Sequence, residues 1–220
     1  MIEHLYIIPI LLFSVIIHEI AHGWVALKLG DPTAKMMGRL TLNPIPHIDL
    51  VGSILVPAFS LLAAGSVFIA WAKPVPINPA NFSRPKRDDV LVSIAGPVSN
   101  ILIAFVCSIA VILTGLLISG SAVSPTVANG LEFLFTMFRG GIVLNVVLAV
   151  FNIIPIPPLD GSHVLASLLP GEIAYRYSRI GFVGVFIVIF LMRVPFFSNM
   201  FTSVITTIML PLREMINLFL

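Results

Sequence analysis

The sequence predicts an all-α polytopic membrane protein, and three observations carry that expectation. Of the 220 residues, 58% are hydrophobic and only 10% are charged, whereas a soluble globular domain carries about 25% charged residues. Mean hydropathy is +1.09, the opposite of a disordered chain, which combines low hydrophobicity with high net charge. The apolar residues also fall in blocks long enough to cross a bilayer, which takes about 20 residues of helix. At that length the chain holds about five to six transmembrane helices, expected as one domain over residues 1–220. Net charge is +2, from twelve Lys and Arg against ten Asp and Glu. Without a basic stripe to neutralise phosphates, nucleic-acid binding is excluded. The single cysteine, Cys107, excludes an internal disulfide framework.

Three long apolar runs, at 5–29, 91–119 and 131–154, are the expected core helices, and two C-terminal helices follow at 179–192 and 196–218. The first run has no Lys or Arg before it and no small-residue cleavage site, so it reads as a retained helix and not a signal peptide. Residues 50–72 are interrupted by Gly52, Pro57 and Gly65. Positive charge collects at Lys28, Lys35 and Arg39, at Lys73, Arg84, Lys86 and Arg87, and at Arg176 and Arg179, while 120–130 carries none. The positive-inside rule then makes 120–130 external and the other three connections cytoplasmic. Both ends of 50–72 fall on one side, so that stretch is expected to be re-entrant, bent near Pro57 or Gly65; the alternative is an ordinary span with an inverted first helix. Segment 73–90 holds four prolines and cannot be helical throughout. It is expected as a short β or extended segment, either an interfacial loop or a flap over the mouth of a site.

The chemistry is concentrated in His18-Glu19-Ile20-Ala21-His22. Residues four apart are about 40° apart around a helix, so both imidazoles can reach one ion from one face. Neutral imidazoles suit zinc, which lowers the pKa of its water to about 7, and Glu19 stands beside them to take a proton. This composition gives about 0.0025 chance matches to H-E-x-x-H. As polar decoration the three groups would be costly, since each ionisable side chain inside a membrane span costs about 2–3 kcal/mol. A metal offsets that cost.

A catalytic zinc needs a third protein ligand and an open fourth position. Candidates are Glu3, Asp49, Glu132, Asp160, Glu172 and Glu214, with His4, His47 and His163. Asp160 stands out because Asn152-Ile-Ile-Pro-Ile-Pro-Pro-Leu-Asp160-Gly161 must unwind a helix end, and irregular backbone at that depth lines a cavity. The alternative is a turn-stabilising aspartate before glycine. Asn100, in Ala95-Gly-Pro-Val-Ser-Asn100, either faces a site, where an amide can donate to an oxyanion, or makes an interhelical hydrogen bond. Asn152 poses the same choice, with a structural role favoured. His47 and Asp49 could form a second metal site, though a loop pair is favoured. Trp24 and Trp71 read as interface anchors or packing residues.

With HEIAH at 18–22, AGPVSN at 95–100 and NIIPIPPLDG at 152–161, the chain resembles the site-2 proteases, intramembrane zinc metalloproteases of peptidase family M50. GRLTLNPIPHIDLVG at 38–52 and WAKPVPINP at 71–79 resemble the compact subgroup without PDZ or CBS domains. The resemblance implies one zinc per chain bound by His18, His22 and Asp160, with Glu19 as catalytic base. It also implies a substrate-holding or oxyanion role for Asn100 and for the backbone of Gly96. It further implies a three-helix catalytic core, a site nearer the cytoplasmic side of a prokaryotic cell membrane, and transmembrane-protein substrates reached from the lipid bilayer; an oligomer is left open. Two other functions compete. A metal transporter would need polar positions along a whole pathway, and the remaining spans are nearly free of ionisable residues; a non-catalytic relative would not need the intact HExxH.

Overall fold

The computed structural model describes residues 7–55, 71–120 and 124–220. The helices are α1 (Ile7–Lys28), α2 (Pro85–Gly120), α3 (Pro125–Asn152), α4 (Gly161–Leu168), α5 (Gly171–Ser178), α6 (Val183–Arg193) and α7 (Pro195–Phe219). Among the described residues no strand forms, and four helices are long and apolar enough to cross a membrane: α1, α2, α3 and α7. A fifth span results if α5 and α6, bent by 80° at Gly181, whose φ of +51° is left-handed, are taken together. The fold is therefore all-α and polytopic, as expected. The sixth span considered, 50–72, falls mainly on residues outside those described. Its two ends nevertheless stand side by side: the Trp71 N–H donates to the Gly52 carbonyl at 3.1 Å and Ser53 Oγ donates to the Trp71 carbonyl at 2.8 Å.

Two core helices begin six residues before their apolar runs, at Pro85 and Pro125 rather than at 91 and 131. Hydropathy marks where a helix meets lipid, not where it starts. A proline at the first helical position lacks only an N–H that has no helical partner there, and its φ is already set. The Arg84 N–H is taken up by the Asp88 carboxylate at 2.9 Å. Of the four prolines of 73–90, Pro85 thus starts a helix, while 71–78 remains extended chain.

In lipid there is no hydrophobic driving force between helices, so close packing of small residues and polar contacts must hold the bundle. Helix α2 lies at its centre. Gly141 of α3 comes so close to α1 and α2 that a Cβ there would meet Ile10 at 2.9 Å and the Cys107 sulfur at 3.0 Å. Ile10, Ile103, Cys107, Val111 and Ile142 form one buried cluster and Ala104, Val146 and Val150 another, with α7 laying Ile205, Ile208, Met209 and Leu212 against the second.

The extended chain 71–78 is a strap tied across the end of α1 where Lys28 lies. The Lys73 N–H donates to the His47 carbonyl at 2.9 Å, and the Lys73 carbonyl accepts from Arg39 Nη2 at 2.7 Å. Its far end is anchored by Asp31, which has no exposed surface. The Asp31 carboxylate accepts from the Asn78 N–H at 2.7 Å, Asn81 Nδ2 at 2.7 Å, and the Thr33 N–H at 3.1 Å and hydroxyl at 2.5 Å. Burial pushes this carboxyl up, but the donors from Thr33, Asn78 and Asn81 outweigh burial and hold it below its ordinary value of 3.8. A depressed carboxylate stabilises above its unfolded pKa and loses that contribution as pH falls through the folded value. Protection of the strap from proteolysis in detergent is therefore expected to be level from neutral pH down to about pH 4 and to fall below it. Asp31→Ala, which strands buried donors worth about 1–3 kcal/mol each, should lower the midpoint of thermal unfolding and abolish that acid transition.

Candidate metal centre

One helical face supplies two of the groups. His18 and His22, a turn apart on α1, are 8% and 7% exposed, with their Nε2 atoms 3.1 Å from each other. The third comes from chain with no helical pattern. The α3 helix ends at Asn152, the proline-rich stretch turns, and Asp160 precedes α4 with Oδ2 at 3.2 Å from His18 Nε2 and 3.4 Å from His22 Nε2. Among the described residues this trio is the group of His, Cys, Asp and Glu side chains able to share an ion.

The protonation of the rings follows from their other contacts. His22 Nδ1 lies 2.7 Å from the Val92 carbonyl, which can only accept, so in the neutral ring the proton sits on Nδ1 and Nε2 carries a lone pair. His18 Nδ1 lies 2.7 Å from Asn100 Oδ1 and is likewise the donor. With both rings neutral, three lone-pair atoms face one another, and Asp160 Oδ2 is buried with no donor pointing at it although both nitrogens are close. Such a cluster is repulsive unless a cation lies between its members. Ligands at about 2.0–2.2 Å from a tetrahedral zinc are about 3.3–3.6 Å apart, and the spacing of 3.1–3.4 Å fits that edge closely. A proton competes for the same place. Burial pushes the Asp160 carboxyl up, but pairing with a protonated His18 or His22 outweighs it and holds the group well below the usual carboxylate range, so metal binding must release protons.

Room for this arrangement is made on α2. A Cβ at Gly96 would overlap His22 Nε2 and both Cε1 and Nε2 of His18, so the rings occupy the space that any other residue would fill. The structure thus gives Gly96 a steric place at the site, through the side chain it lacks. Asn100 is 0% exposed, with Oδ1 on His18 and Nδ2 on Asn145 Oδ1 at 3.2 Å. Both ends of its amide are engaged, which sets it behind the ligand instead of before a substrate. Asn152 donates Nδ2 to the Leu148 carbonyl at 3.0 Å, a bond within its own helix.

Glu19 is half-buried, and its Oε2 accepts the Val75 N–H of the strap at 2.7 Å. Sequence reading missed this partner, although the signal was there: between Pro74 and Pro76, Val75 has the one N–H. His47 is buried against the Thr41 carbonyl at 2.9 Å, and Asp49 accepts the Gly52 N–H at 2.6 Å. His163 instead pairs with Asp89 at 3.1 Å, which raises the imidazole above its ordinary 6.5 despite partial desolvation. Trp71 packs edge-on against Phe182, ring centres 5.3 Å apart.

Comparison with known sequences places this geometry in context. The profile of peptidase family M50 matches residues 115–193, which include the Asp160 loop. YwhC of Bacillus subtilis, provisionally named a zinc metalloprotease, is 41% identical over 188 residues, 84% of this chain and 80% of that one. Rip2 of Mycolicibacterium smegmatis, named in the same way, is 28% identical over 88% of this chain and 69% of its own. The zinc metalloprotease MJ0392 of Methanocaldococcus jannaschii is 27% identical over 77% of this chain but only 36% of its own length. No solved structure matches.

Forcing a methyl group into packed space costs about 1–3 kcal/mol, and at residue 96 the ligand nitrogens would have to move. Gly96→Ala is expected to weaken zinc binding on the order of 10-fold or more, by elemental analysis after graded chelation. Gly130→Ala on α3, where a Cβ meets open space, should leave zinc content unchanged.

Proposed function

Given that the chain belongs to peptidase family M50 and is a zinc metalloprotease of it, we propose that it is an intramembrane endopeptidase of the site-2 type, cleaving membrane-protein substrates within or near their transmembrane segments. One observation carries the reading: three buried lone-pair atoms 3.1–3.4 Å apart inside a bundle of apolar helices, with a carboxylate beside them. His18, His22 and Asp160 would hold one zinc per chain. Zinc so held supplies a Lewis acid for the scissile carbonyl and a water of pKa about 7.

The chain's own residues do the rest. Glu19 takes the proton of the attacking water as its oxygen bonds to the carbonyl carbon, and returns it to the amide nitrogen as the C–N bond breaks. The Val75 N–H on Glu19 Oε2 fixes the carboxylate and leaves Oε1 for that proton. A helical peptide bond is hydrogen-bonded and shielded, so the substrate must unwind before cleavage. An apolar groove of about 370 Å³ between α2, α3 and α7, lined by Pro97, Ile101, Val150, Ile153 and Ile208 among others, suits apolar side chains of a substrate helix arriving from lipid. The extended strap suits β-pairing with the unwound part. Lys28, Arg84, Lys86 and Arg87 cluster at the helix ends nearest the trio, which supports a cytoplasmic-side site, in a prokaryotic cell membrane. A transporter is disfavoured, because among the described residues the trio is the one such metal-binding group.

In liposomes carrying single-span fusion substrates, Glu19→Gln is expected to lower cleavage by about three orders of magnitude or more while zinc content stays near one per chain. Asp160→Ala should lose both cleavage and zinc. Cleavage retained by Glu19→Gln removes the proposed base, and zinc unaffected by Asp160→Ala removes the proposed ligand set.

A further inference from the structure

Behind His18 runs a chain of polar side chains through all three core helices. Ser14 of α1 and Asn100 and Asn145 of α2 and α3 are each 0% exposed, in helices otherwise built to face lipid or one another. Asn145 Nδ2 lies 2.9 Å from the Gly141 carbonyl and 2.8 Å from Ser14 Oγ, which itself donates to the Ile10 carbonyl at 2.6 Å. Asn145 Oδ1 faces Asn100 Nδ2 at 3.2 Å, and Asn100 Oδ1 faces His18 Nδ1 at 2.7 Å.

The direction of this relay is forced from its far end. A backbone carbonyl can only accept, so the group of Asn145 on Gly141 must be the NH2, with both hydrogens engaged by Gly141 and Ser14. Its other atom is then an oxygen and can only accept, so Asn100 must present its NH2 to Asn145 and its oxygen to His18. An oxygen there requires a proton on Nδ1 of His18, which in the neutral ring leaves Nε2 bare and turned to His22 and Asp160. If the Asn100 amide turned over, its NH2 would face Nδ1, and the ring would carry its proton on Nε2, where it cannot bind a metal.

We propose that Asn145 is a positioning residue that fixes the Asn100 amide and, through it, the metal-binding tautomer of His18. The proposal rests on the metal site put forward above. Groups that hydrogen-bond the far nitrogen of a ligating histidine are worth about 10–100-fold in metal affinity, and here that influence would come from a residue one step further out. Neither HExxH nor the LDG loop contains it.

The test is a double-mutant cycle read as zinc affinity, by competition with a chromophoric chelator in detergent, with thermal unfolding followed in parallel. Asn145→Leu has nearly the same shape and no polar atom, and should weaken zinc about 10-fold or more. In the Asn100→Asp background there is no amide to turn over, so adding Asn145→Leu should cost less than about threefold, although the interhelical hydrogen bonds are still lost. Equal losses from Asn145→Leu in both backgrounds, or none in either, overturn the proposal. Wild-type protein whose zinc is indifferent to Asp160→Ala would overturn the site itself, which is a separate result.

Discussion

Three atoms that repel one another have to be brought to one point inside an apolar bundle, and most of the structure follows from that requirement. A turn of α1 delivers two imidazoles on one face. The carboxylate that joins them arrives from the chain beyond the unwound end of α3. Helix α2 contributes by omission at Gly96, where the rings occupy the place of a side chain. Each ring is then oriented by an acceptor behind it, a backbone carbonyl for His22 and an amide for His18. The polar groups are satisfied only as a set.

The same set explains how helices with no hydrophobic reason to associate hold a register. Interhelical hydrogen bonds in lipid are worth about 0.6–2 kcal/mol each, and small residues permit the close approach that makes them possible. Ser14, Asn100 and Asn145 bond three helices at one level, and Gly141 lets α3 approach Ile10 and Cys107. Structural glue and site geometry are therefore the same contacts. Glu19 is held differently, by the strap, whose own anchors lie at Asp31, Arg39 and the His47 carbonyl. Glu19 thus depends on polar residues outside the spans.

Much of this was legible in the sequence because the physics involved is local. Lipid demands long apolar helices, so α1, α2, α3 and α7 stand out by composition, with only their starts misplaced at Pro85 and Pro125. The i and i+4 spacing fixes His18 and His22 on one face whatever the tertiary structure. The proline-rich stretch announced broken backbone before Asp160, but that Asp160 reaches the two histidines depends on how α3 crosses α1, which no local pattern encodes. The placing of Asn100 behind His18, the steric part of Gly96 and the network around Asp31 are likewise long-range. For Asn145 a signal existed and was passed over: an amide in an apolar helix must find a partner, and Ser14 and Asn100 were the polar residues at matching depth.

The C-terminal helices are bound to the site through the one part of it that is not helical. Gly184 of α6 packs on the Pro157 carbonyl so closely that a Cβ would overlap it, and the Tyr177 hydroxyl of α5 donates to the Pro155 carbonyl at 2.8 Å. Both contacts grip the loop that ends in Asp160, and Phe182 at the bend between α5 and α6 leans on Trp71 at the start of the strap. Packed contacts of this kind rearrange between discrete states and do not stretch. A displacement of α6 large enough to widen the bundle would therefore have to release Pro157 or carry it along, and carrying it along would draw the Asp160 carboxylate away from two imidazoles fixed on α1. The left-handed φ of +51° at Gly181 lets the chain turn between the helix that holds Pro155 and the one that packs on Pro157, so both grips on the Asp160 loop are made without a strained side chain at the bend.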